Sequence, residues 1–443
     1  MVSTVRNMMV AAAVAGMLAL ALEPGHSAET STPDDTARFL AGLPPASDSP
    51  LAGLAAGPQW AQHAKFFNAI FEKEDTNTLS KVRAFSAAHL SEHHDTLLYM
   101  FSGPDFLYAT SFFPHESTYV LAGLEPVGDI PQLTALPRTT VDETLHHLES
   151  SLYTVLNLSF FITKNMQSQL SEGPVFGTLP VLYVFLARTG KTIHEASYVR
   201  IDAAGNFIAP DEPAPTGQGK HGAADDATSG VKIVFSDGSG PMQTLYYFST
   251  NLENGGVNKS GFLAFCAKLG VADSFLKSAS YLLHNGGFTK VRDFLLDRSA
   301  TVLEDDSGIP LAAFDAKKWH LQPFGRYLGP IAVFPGDYQP RMAELFRTGN
   351  DSPLDFGIGY RWRHNESNLL LAQKTAPAVV EASVNPSLTT PADGVPGIPV
   401  GSPNAPAWAK SHPRVVASAS RTPPPYQPNQ PPHSFFGFFG LRH

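Results

Sequence analysis

The sequence predicts an α+β body, with α/β as the alternative. Two similar strand-plus-helices halves form one unit, followed by a disordered Pro-rich C-terminal tail. Three observations carry this prediction. Short β-prone runs alternate with stretches of helical spacing between about residues 55 and 372. The composition, 43% hydrophobic with 30 phenylalanines, can fill a substantial core. Leu97-Leu98-Tyr99-Met100-Phe101-Ser102 resembles Leu245-Tyr246-Tyr247-Phe248-Ser249, and the triplets Tyr153, Asn157, Phe160 and Tyr281, Asn285, Phe288 share one spacing, which suggests a duplicated unit.

Residues 1–28 read as a secretory signal peptide. Arg6 precedes an unbroken apolar stretch from Met8 to Leu22, ended by Glu23, Pro24 and Gly25. That stretch falls short of the roughly 20 apolar residues a spanning helix needs. Cleavage fits after Ala21 or after Ala28, and no cysteine follows to take a lipid, so the expected location is periplasmic or secreted, with no membrane span after cleavage.

Residues 29–56 are rich in Ala, Ser, Pro, Asp and Thr and read as a flexible leader, with order expected from Trp60. The first half covers 57–208. It opens with two amphipathic helices up to Leu90, separated near Asp75-Thr76-Asn77. Strands are expected at 96–101 and 118–124, each stopped by a turn, with Asp105 as a helix cap. A long helix follows over 141–169, and 179–186 is either a buried strand or a short core helix. Residues 198–202 and 205–208 suggest a hairpin.

Residues 209–230 offer almost nothing to bury and read as an exposed linker loop. The second half, 231–372, begins with strands at 231–235 and 244–248 joined through Asp237-Gly238-Ser239-Gly240. Helical spacing then runs over 262–269, 275–283 and 288–296, and a strand at 301–303 leads into Glu304-Asp305-Asp306-Ser307-Gly308. From 373 to 443 Pro, Ala, Ser and Val dominate, a composition that cannot offset chain entropy by burial. The aromatic patch at 435–441 on that tail suits a docking peptide for an envelope protein, or a terminus folded back on its own body.

Net charge is −9 with no basic block, so nucleic acid is not an expected partner. The single cysteine, Cys266, lies in an apolar run and cannot form an internal disulfide. No glycine-rich phosphate loop is present.

Four segments carry candidate chemistry. His89-Leu90-Ser91-Glu92-His93 fits H-x-x-E-H, in which His89 and His93 on one helix face hold zinc and Glu92 activates water. The turn Asp305, Asp306, Ser307 follows a strand, where α/β folds place functional carboxylates, and His284 is a base one of them could orient. Ser102 ends the matching strand of the first half but lacks the G-x-S-x-G elbow of a hydrolase nucleophile. The tracts holding Trp319, Arg326, Tyr327 and Arg361 mix rings with guanidinium groups, a combination suited to a saccharide. The leading functional expectation is a non-catalytic binding or accessory protein with an aromatic/Arg-lined ligand site. The alternative is a hydrolase using Asp305, Asp306, Ser307 and His284, with or without metal, and the zinc peptidase is a further version. The sequence leaves the cofactor unknown, zinc belonging to the peptidase version alone and a metal being optional in the hydrolase.

Overall fold

The computed structural model describes residues 30–128, 133–158, 177–208, 228–331, 334, 336–349, 352–363, 365–375 and 398–399. The segment expected to be a signal peptide, residues 209–227 of the expected linker and the aromatic patch at 435–441 lie outside these. Among the described residues no helix is long and apolar enough to cross a membrane.

The described residues form one mixed eleven-stranded sheet covered by helices, in line with the α+β or α/β expectation. Order begins earlier than composition suggests. Helix α1 (Pro33–Leu40) lies inside the expected leader, capped by Thr32, whose hydroxyl accepts from Asp35 N at 3.0 Å. Phe39 and Leu40 are fully buried. His63 ties the segment down, bonding Leu40 O at 2.9 Å and Glu149 at 2.9 Å. Two helical turns are too short for periodicity to stand out from the surrounding Ala, Ser and Pro.

Helices α2 (Ala52–Ala55) and α3 (Pro58–Glu74) follow, and α3 runs through a π-helical turn (Asp75–Leu79) into α4 (Ser80–His89). Next come β1 (Thr96–Tyr99), α5 (Phe106–Phe112), β2 (Thr118–Gly123), α6 (Arg138–Leu158) and α7 (Leu179–Arg188). The run at 179–186 is thus a core helix. β3 (Lys191–Ile201) pairs with β4 (Phe207–Ile208) as the expected hairpin, and also with β5 (Thr228–Asp237), which turns into β6 (Met242–Ser249). After α8 (Asn254–Val257) and α9 (Phe262–Lys268) come β7 (Ala272–Leu276), α10 (Thr289–Arg298) and β8 (Ser299–Glu304). The remaining elements are β9 (Trp319–Gly325), α11 (Pro340–Thr348), β10 (Asn368–Lys374) and β11 (Ile398–Pro399).

Two expectations are corrected by this arrangement. The helix expected over 275–283 is replaced by β7 and a 3₁₀ turn (Ser278–His284). β7 is buried along its whole length yet carries Asp273 and Ser274, which obscure its strand character; His94 N bonds Asp273 at 2.8 Å and the Ser299 hydroxyl meets Ser274 at 2.7 Å. The halves are also interleaved rather than repeated. Tyr153 and Asn157 fall on α6, whereas Tyr281 lies in the 3₁₀ turn and Asn285 directly after it, so equal spacing sits on different backbone. Phe160 lies outside the described residues.

The sheet order is β11-β3-β5-β6-β2-β1-β7-β8-β10-β9, and β6, β2, β1, β7 and β8 are mutually parallel. Alternation along each strand feeds two cores. Leu97, Tyr99, Tyr119, Leu121, Leu245 and Tyr247 face the core under α1, α3, α5 and α7. Leu98, Val120, Tyr246, Phe248 and Val302 face the one beneath α9 and α10. From β1 the chain crosses by α5 to β2 on one side; from β7 it crosses by α10 to β8 on the other. Right-handed crossovers running in opposite directions put their helices on opposite faces, and this opens a crevice over the carboxyl ends of β1 and β7.

Candidate functional site

The two strands flanking the crevice end in left-handed backbone. Phe101 after β1 has φ +60° and Ser278 after β7 has φ +56°, the non-glycine residues with positive φ among those described. Such conformations cost about 1–3 kcal/mol each and persist where surrounding structure holds them, often at functional sites.

Between them lies a buried charge pair. Asp105 caps α5 by accepting from Tyr108 N at 3.3 Å, as the sequence suggests, and takes the Tyr99 hydroxyl at 2.8 Å. Its Oδ2 also stands 2.9 Å from Lys277 Nζ, both side chains being 2% exposed. Lys277 Nζ lies 3.9 Å from the centroid of the Tyr108 ring, adding a cation–π contact. The Tyr108 hydroxyl donates to Glu74 Oε1 at 2.6 Å. Burial lifts the Glu74 carboxyl above the usual carboxylate range, partly offset by Tyr108 and Lys277.

Glu74 brings this chain of contacts to a surface groove of about 510 Å³, lined also by Lys73, Asn77, Lys81, Trp362 and Arg363. Asn77 comes from the π-helical turn, a device that frequently marks functional sites. Trp362 is 40% exposed, with the Arg363 guanidinium 4.9 Å from its ring centroid.

The acidic turn after β8 lies beneath the surface. Asp306 makes a forked ion pair with Arg361 at 2.8 and 2.5 Å, and the Arg361 guanidinium also donates to Gly329 O. Asp305 Oδ1 accepts from the Ser307 amide at 3.0 Å and from the Ser307 hydroxyl, while its Oδ2 has no hydrogen-bond partner. Burial, reinforced by the charge of Asp306, pushes the Asp305 carboxyl up to about 7. Glu304 accepts from Ile309 N at 2.7 Å, and burial raises its carboxyl far above the usual range. Gly359 closes over this turn with φ +55°; a Cβ there would stand 2.7 Å from Ser278 Oγ and 2.8 Å from Asp305 Oδ2. Ser278 Oγ, like Asp305 Oδ2, is buried without a partner.

The expected site residues therefore separate. Asp305, Asp306 and Ser307 are together, but Ser307 is 1% exposed and bonded to a carboxylate rather than a base. His284 Nε2 is buried without a hydrogen-bond partner, and burial lowers the basicity of its ring, so it does not complete a nucleophile–base pair with this turn. Helix α4 ends at His89, so His93 leaves the helical face that a zinc pair requires. His89 packs against Phe85 and Phe324, and His93 faces His115. Among the described residues no three His, Cys, Asp or Glu side chains are gathered so as to hold a metal ion.

The aromatic/Arg tract is divided in the same way. Trp319 is buried on β9 against Phe314 and under Lys374, and Arg361 is committed to Asp306. Arg326 and Tyr327 do share a groove, of about 740 Å³, with Phe346 and Arg347. Ser102 is structural, its hydroxyl donating to Gly103 O at 2.8 Å. Cys266 is buried, which pushes its thiol up and out of reactive range.

Sequence reasoning missed Glu74, Tyr108, Lys277 and Ser278. The available cue was position, since Lys277 and Ser278 directly follow a strand as Asp305 does. Comparison with family models, with curated proteins and with solved structures finds no match to the chain.

Proposed function

We propose that the protein is an enzyme acting by general acid–base catalysis on a small hydroxylated anion, of the sugar-acid type, bound in the groove above the carboxyl ends of the parallel strands. The observation that carries this reading is the position of Glu74 on the groove wall, its carboxylate accepting the Tyr108 hydroxyl at 2.6 Å with Lys277 over the face of that ring; burial raises its proton affinity. A carboxyl whose proton affinity is raised by burial is better suited to taking and giving a proton than an ordinary surface carboxylate. Lys73, Lys81 and Arg363 supply positive charge for a carboxylate, and the exposed ring of Trp362 offers a stacking face for a sugar. The amino-terminal segment read as a signal peptide supports a periplasmic or extracellular setting for this chemistry.

Titration with glucuronate and galacturonate oligomers, followed by tryptophan fluorescence with Trp362→Phe as control, tests the groove. Binding that persists in Glu74→Gln while turnover disappears supports the reading. Full turnover in Glu74→Gln, or binding unaffected by Lys81→Ala and Arg363→Ala together, overturns it.

A purely binding role is favoured by the second groove, which Arg326 and Tyr327 both line. In that case Arg326→Ala weakens ligand binding and Glu74→Gln leaves it unchanged.

A further inference from the structure

The groove that holds Glu74 does not end at its own rim. Asp355 and Asn365 line it and also line the groove of Arg326 and Tyr327, so the two cavities, of about 510 and 740 Å³, meet at these two residues. Their common floor is one stretch of chain, residues 352–357, which runs from the larger groove through Asp355 into the smaller. Leu354 and Phe356 anchor that floor in the core, while Pro353 and Asp355 are exposed. Six residues reach up to about 20 Å when extended. Each cavity alone has the volume that takes a whole small ligand, roughly 300–1,000 Å³. A single sugar acid therefore leaves most of the joined cleft empty.

The charge of the cleft runs against that of the chain. Net charge is −9, yet Lys73, Lys81 and Arg363 line one groove and Arg326 and Arg347 the other, against the carboxyl groups of Glu74 and Asp355. Lys81 Nζ stands 3.8 Å from Asp355 Oδ2, which offsets the carboxylate at the junction. Arg347 is paired with Glu344 at 2.6 Å and Arg363 with Glu366 at 3.8 Å. Arg326 differs. Its amide donates to Ser367 O at 2.8 Å and its carbonyl accepts from Asn368 Nδ2 at 3.4 Å, while its exposed guanidinium has no ion pair or hydrogen bond among the described residues. The backbone is fixed and the cationic head is left for a ligand.

We infer that the two grooves form one cleft for a linear polymer of sugar acids, with one unit beside Glu74 and the units beyond Asn365 held by Arg326. A guanidinium takes a carboxylate by paired charge-assisted bonds, and such groups recur along this polymer. An acidic polypeptide offers the same charge, but the 40% exposed Trp362 ring and the Asn77, Thr78 and Ser352 side chains suit sugar rings and hydroxyls. The inference rests on the sugar-acid reading of the Glu74 groove and adds that the substrate is a chain.

Calorimetry on the full chain, repeated in Glu74→Gln so that turnover does not consume the ligand, tests it with galacturonate and glucuronate oligomers from dimer to octamer. Poly-glutamate is the comparison. In one of the two series the octamer should bind about tenfold or more tightly than the dimer. Arg326→Ala should weaken the octamer by about fivefold and leave the dimer unchanged. The wild-type length dependence is read without any substitution at Arg326, and that side chain is exposed, so its loss leaves the fold intact. Equal affinity of dimer and octamer, or a rise with length that Arg326→Ala leaves untouched, overturns the polymer cleft while the sugar-acid reading stands. Absence of binding by every uronate overturns both. Tighter binding of poly-glutamate than of any uronate assigns the cleft to an acidic polypeptide and also overturns the inference.

Discussion

Lys277 Nζ stands 2.9 Å from Asp105 Oδ2 with both side chains 2% exposed, at the point where the parallel sheet changes direction. Neither charge has water to replace its partner. Lys277→Met should therefore cost about 3–5 kcal/mol by leaving Asp105 charged and buried, and Asp105→Asn should cost a similar amount. The double variant should lose less than the sum. Urea unfolding of the four proteins measures the coupling, and strict additivity would show that the pair does not act as a unit.

Two buried acids set a pH dependence. Asp305 is pushed up to about 7, chiefly by burial, and Glu116 up to about 9, by burial with Asp273 and Asp95 nearby. An acid whose pKa rises on folding binds its proton better in the folded chain. The stability each contributes is full below its unfolded pKa and is lost as pH rises through its folded value. Asp305→Asn should flatten the fall in stability between about pH 4 and pH 7, and Glu116→Gln the fall extending to about pH 9. Denaturation midpoints across that range would show an unchanged slope if the carboxyls already titrate normally.

Gly359 is held at φ +55° against Ser278 and Asp305. Gly359→Ala combines an unfavourable backbone with a methyl inside contact distance, and should cost about 2 kcal/mol or more. The expected signature is a lower urea midpoint with an unchanged slope. A variant as stable as the parent would mean that the turn over Asp305 yields easily.

The buried face of α1 predicts a large effect in a segment whose composition suggests a tether. Phe39→Ala should cost about 3–5 kcal/mol, because its fully buried ring packs against Trp60 with centroids 5.9 Å apart. Loss of less than about 1 kcal/mol would return residues 30–43 to the status of a leader.

Much of the sheet could be read in the sequence, because β1, β2, β6 and β8 carry unbroken apolar or aromatic runs and β5 is interrupted only at Lys232 between Val231 and Ile233. β7 could not, since Asp273 and Ser274 break its pattern and find their partners in His94 and Ser299, far away in sequence. β9 was obscured by His320, Gln322 and Pro323 on an edge-side strand where such residues are tolerated. For the site, the acidic turn after β8 was visible as a cluster of carboxylates. Glu74 looked like any charged residue near a helix end, and Lys277 like any lysine within the helix expected over 275–283. Their meaning comes from a topology that joins the end of α3 to the ends of β1 and β7.

That topology also dictates an order of assembly. β1 is the centre of the sheet, yet one of its two neighbours, β7, comes after β6 in the chain. A nascent chain ending before Ala272 leaves its central strand with one open edge and Asp105 without its lysine. Closure of the sheet and neutralisation of the buried aspartate thus happen in the same late event, and a chain built this way remains an unfinished thread until most of it is present.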